Sequence, residues 1–311
     1  MKEAKKVVVI GGGYIGIEVA DAYVKNGLDV TLINRSDRFL SGYMDEEFYD
    51  VLDKEAEKNG LNVVTNESAK EIKGEDGKIK SVVTDKGEYE ADTVIMAVGV
   101  KPGTSWLEGV VELDDKGFVV VNDYLETSLE DVYAGGDATL IPFNPTGKKA
   151  SIGIATNARR QGVIAAKNAT GERIKMHGVN GTSGLKFFDL KFAITGLDDT
   201  NLDDYDGEVK SYYTEERLRP SFMRDGGILV RMKIFYDAET EVILGGQFLS
   251  TEDITEAANI ISIAISAKMT LSDLAKADFF FQPEYSRPWH FLNVLALKAR
   301  GKTYGSTEML F

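Results

Sequence analysis

Residues 7–18 read Val-Val-Val-Ile-Gly-Gly-Gly-Tyr-Ile-Gly-Ile-Glu. Four β-branched residues run directly into Gly11-x-Gly13-x-x-Gly16, and a helical pattern follows at once. That order restricts this stretch to a strand, a tight turn and a helix N-terminus. Gly11 permits the turn, Gly13 lets a pyrophosphate approach the backbone, and Gly16 lets the helix lie close to the strand. The free N–H groups and positive dipole end of the helix then face the phosphates. A glycine-rich turn alone is a weak sign, because such turns are common. Here the context is right: a strand before, a helix after, and a second strand over Asp29–Ile33. The expectation is a dinucleotide-binding α/β unit; a purely structural βα turn is the alternative.

The chain has 311 residues, enough for two or three domains. Its 43% hydrophobic and 28% charged content is ordinary for a soluble globular protein. No apolar run reaches the length of a membrane span, no secretory leader is visible, and a cytoplasmic location is the default expectation. The net charge of -14 disfavours nucleic acid and anionic membranes as partners. There is no cysteine, which excludes disulfides, thiolate metal sites and a cysteine nucleophile within the chain. The two histidines, His177 and His290, are far apart in sequence, so no metal is expected.

A helix is predicted over Tyr14–Asn26, with Ile15, Val19, Ala22 and Tyr23 at helical spacing and Gly27 as its stop. The second strand ends at Asn34, where an acidic residue usually binds the adenosine ribose. Asn34 still offers hydrogen bonds to a 2′-hydroxyl but lacks the charge that rejects a 2′-phosphate, and Arg35 and Arg38 are attractive to one. NADH is the expected cofactor and NADPH the alternative. Asp45–Asn59 reads as a helix with Phe48, Leu52 and Ala56 on one face, and Leu61–Val64 as a buried strand. Ala69–Asp92 alternates around Gly74, Gly77 and Gly87, which predicts an antiparallel meander. Asp92–Gly99 reads as a buried strand returning beside the first, with Gly99 near the cofactor.

Beyond Pro102 and Gly103 come Phe118–Val121, Val132–Ala134, Gly135-Gly136-Asp137, a loop over 142–147 and a helix from about Ile152 to Lys167. They are too few for a second complete βαβ unit. From Gly184, strands Leu185–Phe188, Phe192–Thr195, Val209–Tyr213, Leu229–Tyr236 and Val242–Gly246 precede two helices, Thr255–Lys268 and Trp289–Ala299. The first carries Ala257, Ile260, Ile261, Ala264 and Ile265 as one stripe, and Ile260, Ile261, Ala264 and Ile265 are expected to help hold a second copy of the chain. Strands followed by helices predict an α+β domain. Residues 301–311 read as a mobile tail.

Three of these segments resemble one family, the flavin-dependent pyridine nucleotide–disulfide oxidoreductases. Residues 11–18 are similar to its NAD motif, and Ala134-Gly-Gly-Asp137-Ala to its second flavin motif. Asp278-Phe-Phe-Phe-Gln-Pro-Glu-Tyr-Ser-Arg-Pro-Trp289 resembles the dimer-domain signature of the branch holding NADH oxidases, NADH peroxidases and coenzyme A-disulfide reductases. Within that branch the resemblance is to the water-forming NADH oxidases. It runs from about Lys6 to Arg300 and covers the C-terminal two-thirds of such an enzyme. An N-terminal segment of about 150 residues, an ordinary domain length, precedes this portion in the family; it carries the FAD pyrophosphate motif and the redox cysteine.

The resemblance implies a Rossmann-type NAD-binding domain over 1–110, a fragment of an FAD domain over 111–176 and an α+β dimerisation domain over 177–311. It implies hydride transfer from NADH to FAD and then to O2, in a homodimer. Gly11, Gly13, Tyr14, Ile15, Gly16, Glu18, Asn34, Arg35 and Gly99 would line the NAD(P)H site, and Asp137 would hydrogen-bond the ribityl chain of FAD. Tyr14 would cover the flavin until nicotinamide displaces it; its bland alternative is a cap on the first helical turn. Glu18 would lie near the nicotinamide, or else be a solvated carboxylate. Phe279, Phe280, Phe281 and Pro283 would lie at the dimer interface, with Phe281 or Tyr285 near the partner's flavin; His290 would be structural. No catalytic residue is expected in a chain without the redox cysteine, and the portion alone is expected to be inactive. The competing expectation is a nucleotide-binding module, or a subunit that pairs with a separate FAD-domain chain. Coenzyme A-disulfide or peroxide remains the alternative acceptor.

Overall fold

In the computed structural model, residues 4–303 are described. The apolar run at the start forms β1 (Lys6–Ile10), central in a parallel sheet. It pairs with β2 (Asp29–Ile33) on one side, Ile10 opposite Ile33. The helix between them is α1 (Tyr14–Lys25). Its buried face is Gly16, Ile17, Ala20 and Asp21; of the expected stripe, Val19 and Tyr23 pack half-buried against the core, whereas Ile15 and Ala22 are exposed. The stripe is displaced because Gly16 seats the helix on the loop, turning Ile17 and Ala20 toward the sheet.

A 3-10 turn over Glu46–Phe48 leads into α2 (Tyr49–Lys58), so the helix expected over Asp45–Asn59 is two pieces. Phe48, Leu52 and Ala56 are buried as predicted. Next come β3 (Asn62–Val64), the meander β4 (Ala69–Glu75), β5 (Lys78–Thr84) and β6 (Glu88–Glu90), and then β7 (Thr93–Met96). The parallel sheet has the order β3-β2-β1-β7. Both outer strands were expected to be buried. Each is an edge strand, and their side chains are half-buried or exposed, with Met96 exposed.

Residues 105–180 hold only β8 (Ile141–Pro142), β9 (Lys149–Ala150), α3 (Ala155–Ala169), 3-10 turns and single bridges such as Val119 with Thr139. Val111, Val119, Val121, Leu125, Ile141, Met176 and Val179 form a small core of their own.

The remaining strands are β10 (Ser183–Phe187), β11 (Leu190–Gly196), β12 (Val209–Arg217), β13 (Leu229–Asp237) and β14 (Ile243–Ser250). They make one antiparallel sheet in the order β10-β11-β14-β13-β12. Alternation divides its faces. Val230, Met232, Ile234 and Phe248 meet α4 (Glu256–Ser266), α5 (Leu271–Lys276) and α6 (Phe291–Ala299). On the opposite face, Phe187, Phe192 and Leu249 share a core with Ile17, Leu32, Phe39 and Phe48. The two large sheets are therefore welded through side chains of α1, β2 and the segment before α2.

Three helices, not two, follow the sheet. Helix α5 was missed although Thr270-x-x-Asp273 spells a capping box: Thr270 Oγ1 accepts from the Asp273 N–H at 3.2 Å, and Asp273 Oδ2 from the Thr270 N–H at 2.8 Å. The α4 stripe of Ile261, Ala264 and Ile265 is buried against the sheet, with Ile260 half-buried beside it. It is spent inside the chain and is not free to hold a second copy. The expected tail falls largely on residues 304–311, outside the described residues.

A buried charge fixes how the two sheets meet. Lys233, on β13, is 3% exposed at its side chain. Its ammonium lies 3.1 Å from Asp45 Oδ2, 2.9 Å from Glu47 Oε1 and 2.6 Å from Asp199 Oδ2. These three carboxylates lie within 4.8 Å of one another, and the ammonium fills the space between them. Burial lowers the lysine pKa, but the hydrogen bonds and charges of Asp199, Glu47 and Asp45 outweigh it and hold the group above its ordinary value.

Two outcomes follow from these contacts. Lys233→Met strands the buried Asp45 carboxylate, while Glu47 and Asp199 reach solvent; the expected loss is about 3 kcal/mol in a denaturant titration, and a loss below about 1 kcal/mol would count against the lock. At His290, Nδ1 accepts the Leu292 N–H at 3.3 Å and caps α6. Burial pushes its pKa down to about 4 from 6.5. The unfolded chain then takes up the proton first, so stability falls as pH drops from 6.5 toward about 4. His290→Asn keeps a capping side chain and should show a shallower acid loss in thermal unfolding.

Candidate functional site

The parallel register brings the C-terminal ends of β1, β2 and β7 to one edge, where the glycine loop lies. The Gly11 N–H donates to Ile33 O at 2.9 Å and the Ala97 N–H to Ile10 O at 2.8 Å. Gly11 has φ +108°, and a Cβ there would fall 2.2 Å from Ala97 O. At Gly16 a Cβ on this backbone would sit 1.8 Å from Gly11 O, so the helix rests directly on the loop. At Gly12 it would meet Phe39 Cβ at 2.7 Å. Gly13 differs: its nearest neighbour would be Tyr43 Cε2 at 3.8 Å, and its φ of -82° is ordinary. The protein's own packing explains Gly11, Gly12 and Gly16; at Gly13 a Cβ would make only an ordinary contact with the Tyr43 ring.

Gly13 is the N-cap of α1, with no side chain capping the helix there. Tyr14 begins the helix. Its ring stacks on Tyr43 at 4.2 Å between centroids, and its hydroxyl lies 3.1 Å from Ser183 Oγ on β10. Burial pushes the phenol up to about 12, so the ring remains neutral near pH 7. Neither Tyr43 nor Ser183 was legible as a site residue, since loop position and sheet register supply the contacts. Ile15 and Glu18 are exposed on α1 beyond the loop. Gly99 has φ +93° and open space around it.

Asn34 follows β2 and is knotted into the loop. Its Oδ1 accepts the Gly12 N–H at 3.1 Å, and its Nδ2 donates to Ser36 O at 3.2 Å and Arg38 O at 2.7 Å. Arg35 is exposed. Arg38 pairs with Asp53 at 3.0 Å and lies over the Tyr49 ring.

Asp137 sits elsewhere, in the 3-10 turn Gly136–Ala138 near the start of α3. Its carboxylate is exposed and lies 3.5 Å from where a Gly153 Cβ would be. No hydrogen bond among the described residues joins it to the glycine loop. Phe280 and Tyr285 are exposed at 73% and 64%, with their rings edge to face. Phe279 instead stacks on His290 inside the chain.

Gly11→Ala must fit a Cβ against a backbone carbonyl at positive φ, and a loss of about 2–4 kcal/mol is expected. Gly13→Ala should unfold within about 0.5 kcal/mol of the parent. Equal losses in chemical denaturation would contradict this division of labour.

No helix among the described residues is long and apolar enough to cross a membrane. The family described as pyridine nucleotide-disulphide oxidoreductase matches residues 1–162, and its dimerisation domain matches residues 182–291. The chain is 42% identical over 299 residues to an NADH oxidase of Enterococcus faecalis, covering 96% of this chain and 67% of that protein. A structure of the water-forming NADH oxidase from Lactobacillus brevis bound to NADH matches with a TM-score of 0.90 and 36% identity, over 96% of this chain and 66% of that one. An engineered mutant of that oxidase, a water-forming NADPH oxidase bound to NADPH, matches with the same TM-score, identity and coverage. Its five substitutions include a glycine to alanine and, 18 positions later, an aspartate to alanine followed directly by arginine and serine. The chain spans about two thirds of the length of these relatives. With both matched segments and a fold shared across 96% of its length, this chain belongs to the pyridine nucleotide-disulphide oxidoreductase family.

Proposed function

We propose that the chain supplies the dinucleotide-binding and dimerisation portions of an NADH oxidase-like flavoprotein that oxidises NAD(P)H with O2 as acceptor. Gly13 carries this reading: it is the one glycine of the loop that the chain's own packing does not require, and it lies at a helix N-terminus, where backbone N–H groups suit a pyrophosphate. In this reading Gly11, Gly13, Ile15 and Gly16 shape the phosphate end. Tyr14 and Glu18 border the nicotinamide, Gly99 flanks it, and Asn34 and Arg35 face the adenosine ribose. The organisation into 1–110, 111–176 and 177–311 belongs to the same proposal.

The cofactor is NAD(P)H on grounds of spacing. Arg35 and Ser36 follow Asn34, which lies 18 residues beyond Gly16, the same pattern as the arginine and serine of the engineered oxidase. Asp137 suits the sugar chain of FAD: it is exposed, accepts no hydrogen bond from the described residues, and stands beside a glycine. A bound flavin would supply the redox chemistry itself. The chain's own residues bind and orient: Ser183 and Tyr43 hold Tyr14 as a neutral cover at the mouth of the groove. Exposed Phe280, Phe281 and Tyr285, within the segment matching a dimerisation domain, support a homodimer. A second reading is a nucleotide-binding subunit that joins a separate flavin-binding chain, which would supply the redox cysteine that these 311 residues do not contain.

Calorimetric titration with NADH and NADPH tests the first claim. At least one should bind, and Gly13→Ala should weaken it about tenfold with little change in stability; unaltered binding would overturn the placement. With NADH and added FAD, the chain alone should consume oxygen far more slowly than about 10 per second. Turnover at that rate would show that no cysteine is needed.

A further inference from the structure

We infer that Arg35, with Ser36 beside it, is a seat for the 2′-phosphate of NADPH, so that this chain prefers NADPH to NADH. The inference rests on the dinucleotide reading above and names which nucleotide it takes.

The place follows from the sheet. β1 and β2 are neighbours, Gly11 N donates to Ile33 O, and Gly12 N donates to Asn34 Oδ1. The segment after β2 therefore borders the glycine loop, where the adenosine ribose of a dinucleotide lies. NAD-binding sites of this kind present a carboxylate there, which accepts hydrogen bonds from the ribose hydroxyls and repels a phosphate. Asn34 has no charge. Both of its N–H donors are already committed, to Ser36 O and Arg38 O, and one lone pair of Oδ1 is taken by Gly12. It can accept at most one more bond and can donate none without releasing the turn.

That commitment also shapes what is presented. By drawing the carbonyls of Ser36 and Arg38 inward, Asn34 leaves the side chains of Arg35 and Ser36 exposed. Among the described residues no ion pair or hydrogen bond holds either side chain. Arg38, the other nearby cation, is committed to Asp53 and the Tyr49 ring. Arg35 is thus an uncommitted guanidinium at the position where a 2′-phosphate would arrive, with a hydroxyl next to it. A guanidinium binds phosphate through paired, charge-assisted N–H bonds. Asp37 is the adjacent opposing charge and is exposed, so solvent screens it.

The test is direct titration of the full chain with NADPH and NADH, reading dissociation constants and no catalysis. NADPH should bind about ten- to a hundredfold more tightly, the scale of a hydrogen-bonded charge. The gap should narrow as salt rises. Adenosine 2′,5′-bisphosphate should displace NADPH better than 5′-AMP does. Arg35→Ala, on an exposed side chain, should remove the preference by weakening NADPH far more than NADH. NADH binding as tight as NADPH would overturn the inference, as would an Arg35→Ala effect equal on both nucleotides. Failure of both nucleotides to bind would overturn the dinucleotide reading, and this inference with it.

Discussion

The nucleotide groove depends on one close approach, that of the Gly11 backbone to the carbonyl of Ala97. A Cβ at Gly11 would lie 2.2 Å from that oxygen, and the backbone there is left-handed. The contact lets the chain leave β1, turn over the end of β7 and enter α1 within three residues. Helix α1 then rests on Gly11 O through Gly16, and its N-terminus is aimed across the sheet edge. The N–H groups of a helix start have no partner within the helix, so their direction decides where an anion can sit. Without that turn, the strand and helix would still form, but the free donors would point elsewhere.

The parts read correctly from the sequence are those governed by neighbours in the chain. β1, the turn, α1, the 69–92 meander and the five later strands follow from period and glycine placement, and the structure has them. Errors cluster where position in the sheet, not local pattern, decides burial. β3 and β7 have the apolar composition of interior strands yet lie at the edges. The α1 stripe was placed by apolar spacing alone, whereas Gly16 sets the face and admits Asp21 to it, tied to Lys25 at 2.8 Å. The α4 stripe was sound as a pattern but was given to a partner; the sheet of the same chain covers it. Only α5 was overlooked despite a local sign, the Thr270–Asp273 box.

At the groove the same rule holds. The glycines were legible from their spacing, although only Gly11 needs a left-handed backbone, Gly12 and Gly16 are required by close packing, and Gly13 by neither. Asn34 was legible as a departure from the acidic pattern, but its role was not. Its amide ties three backbone groups across the turn, at Gly12, Ser36 and Arg38, and only the fold brings Gly12 to it. Tyr43 and Ser183 reach Tyr14 from 29 and 169 residues away, and no spacing rule connects them.

The buried lysine explains why so exposed a groove can keep its shape. From Leu40 to Asp45 the chain makes three successive attachments. The Leu40 N–H donates to Gly12 O at 2.7 Å, Tyr43 stacks on Tyr14, and Asp45 meets Lys233. Asp45 also receives the Asp199 N–H at 3.2 Å on Oδ1, and its own N–H donates to Gln247 Oε1 at 3.2 Å. A buried ion pair contributes little net stability compared with an apolar contact of similar volume, because desolvating the charges costs about as much as their attraction returns. Its geometric demand is stricter: an ammonium between three carboxylates tolerates little displacement before a charge is stranded. An apolar contact at the same place would allow the segment to slide along the second sheet. Tyr43 stands two residues before Asp45, so the register that Lys233 imposes also places the ring that flanks Gly13 and Tyr14. The charge cluster lies outside the groove, yet it sets the position of the groove's aromatic wall.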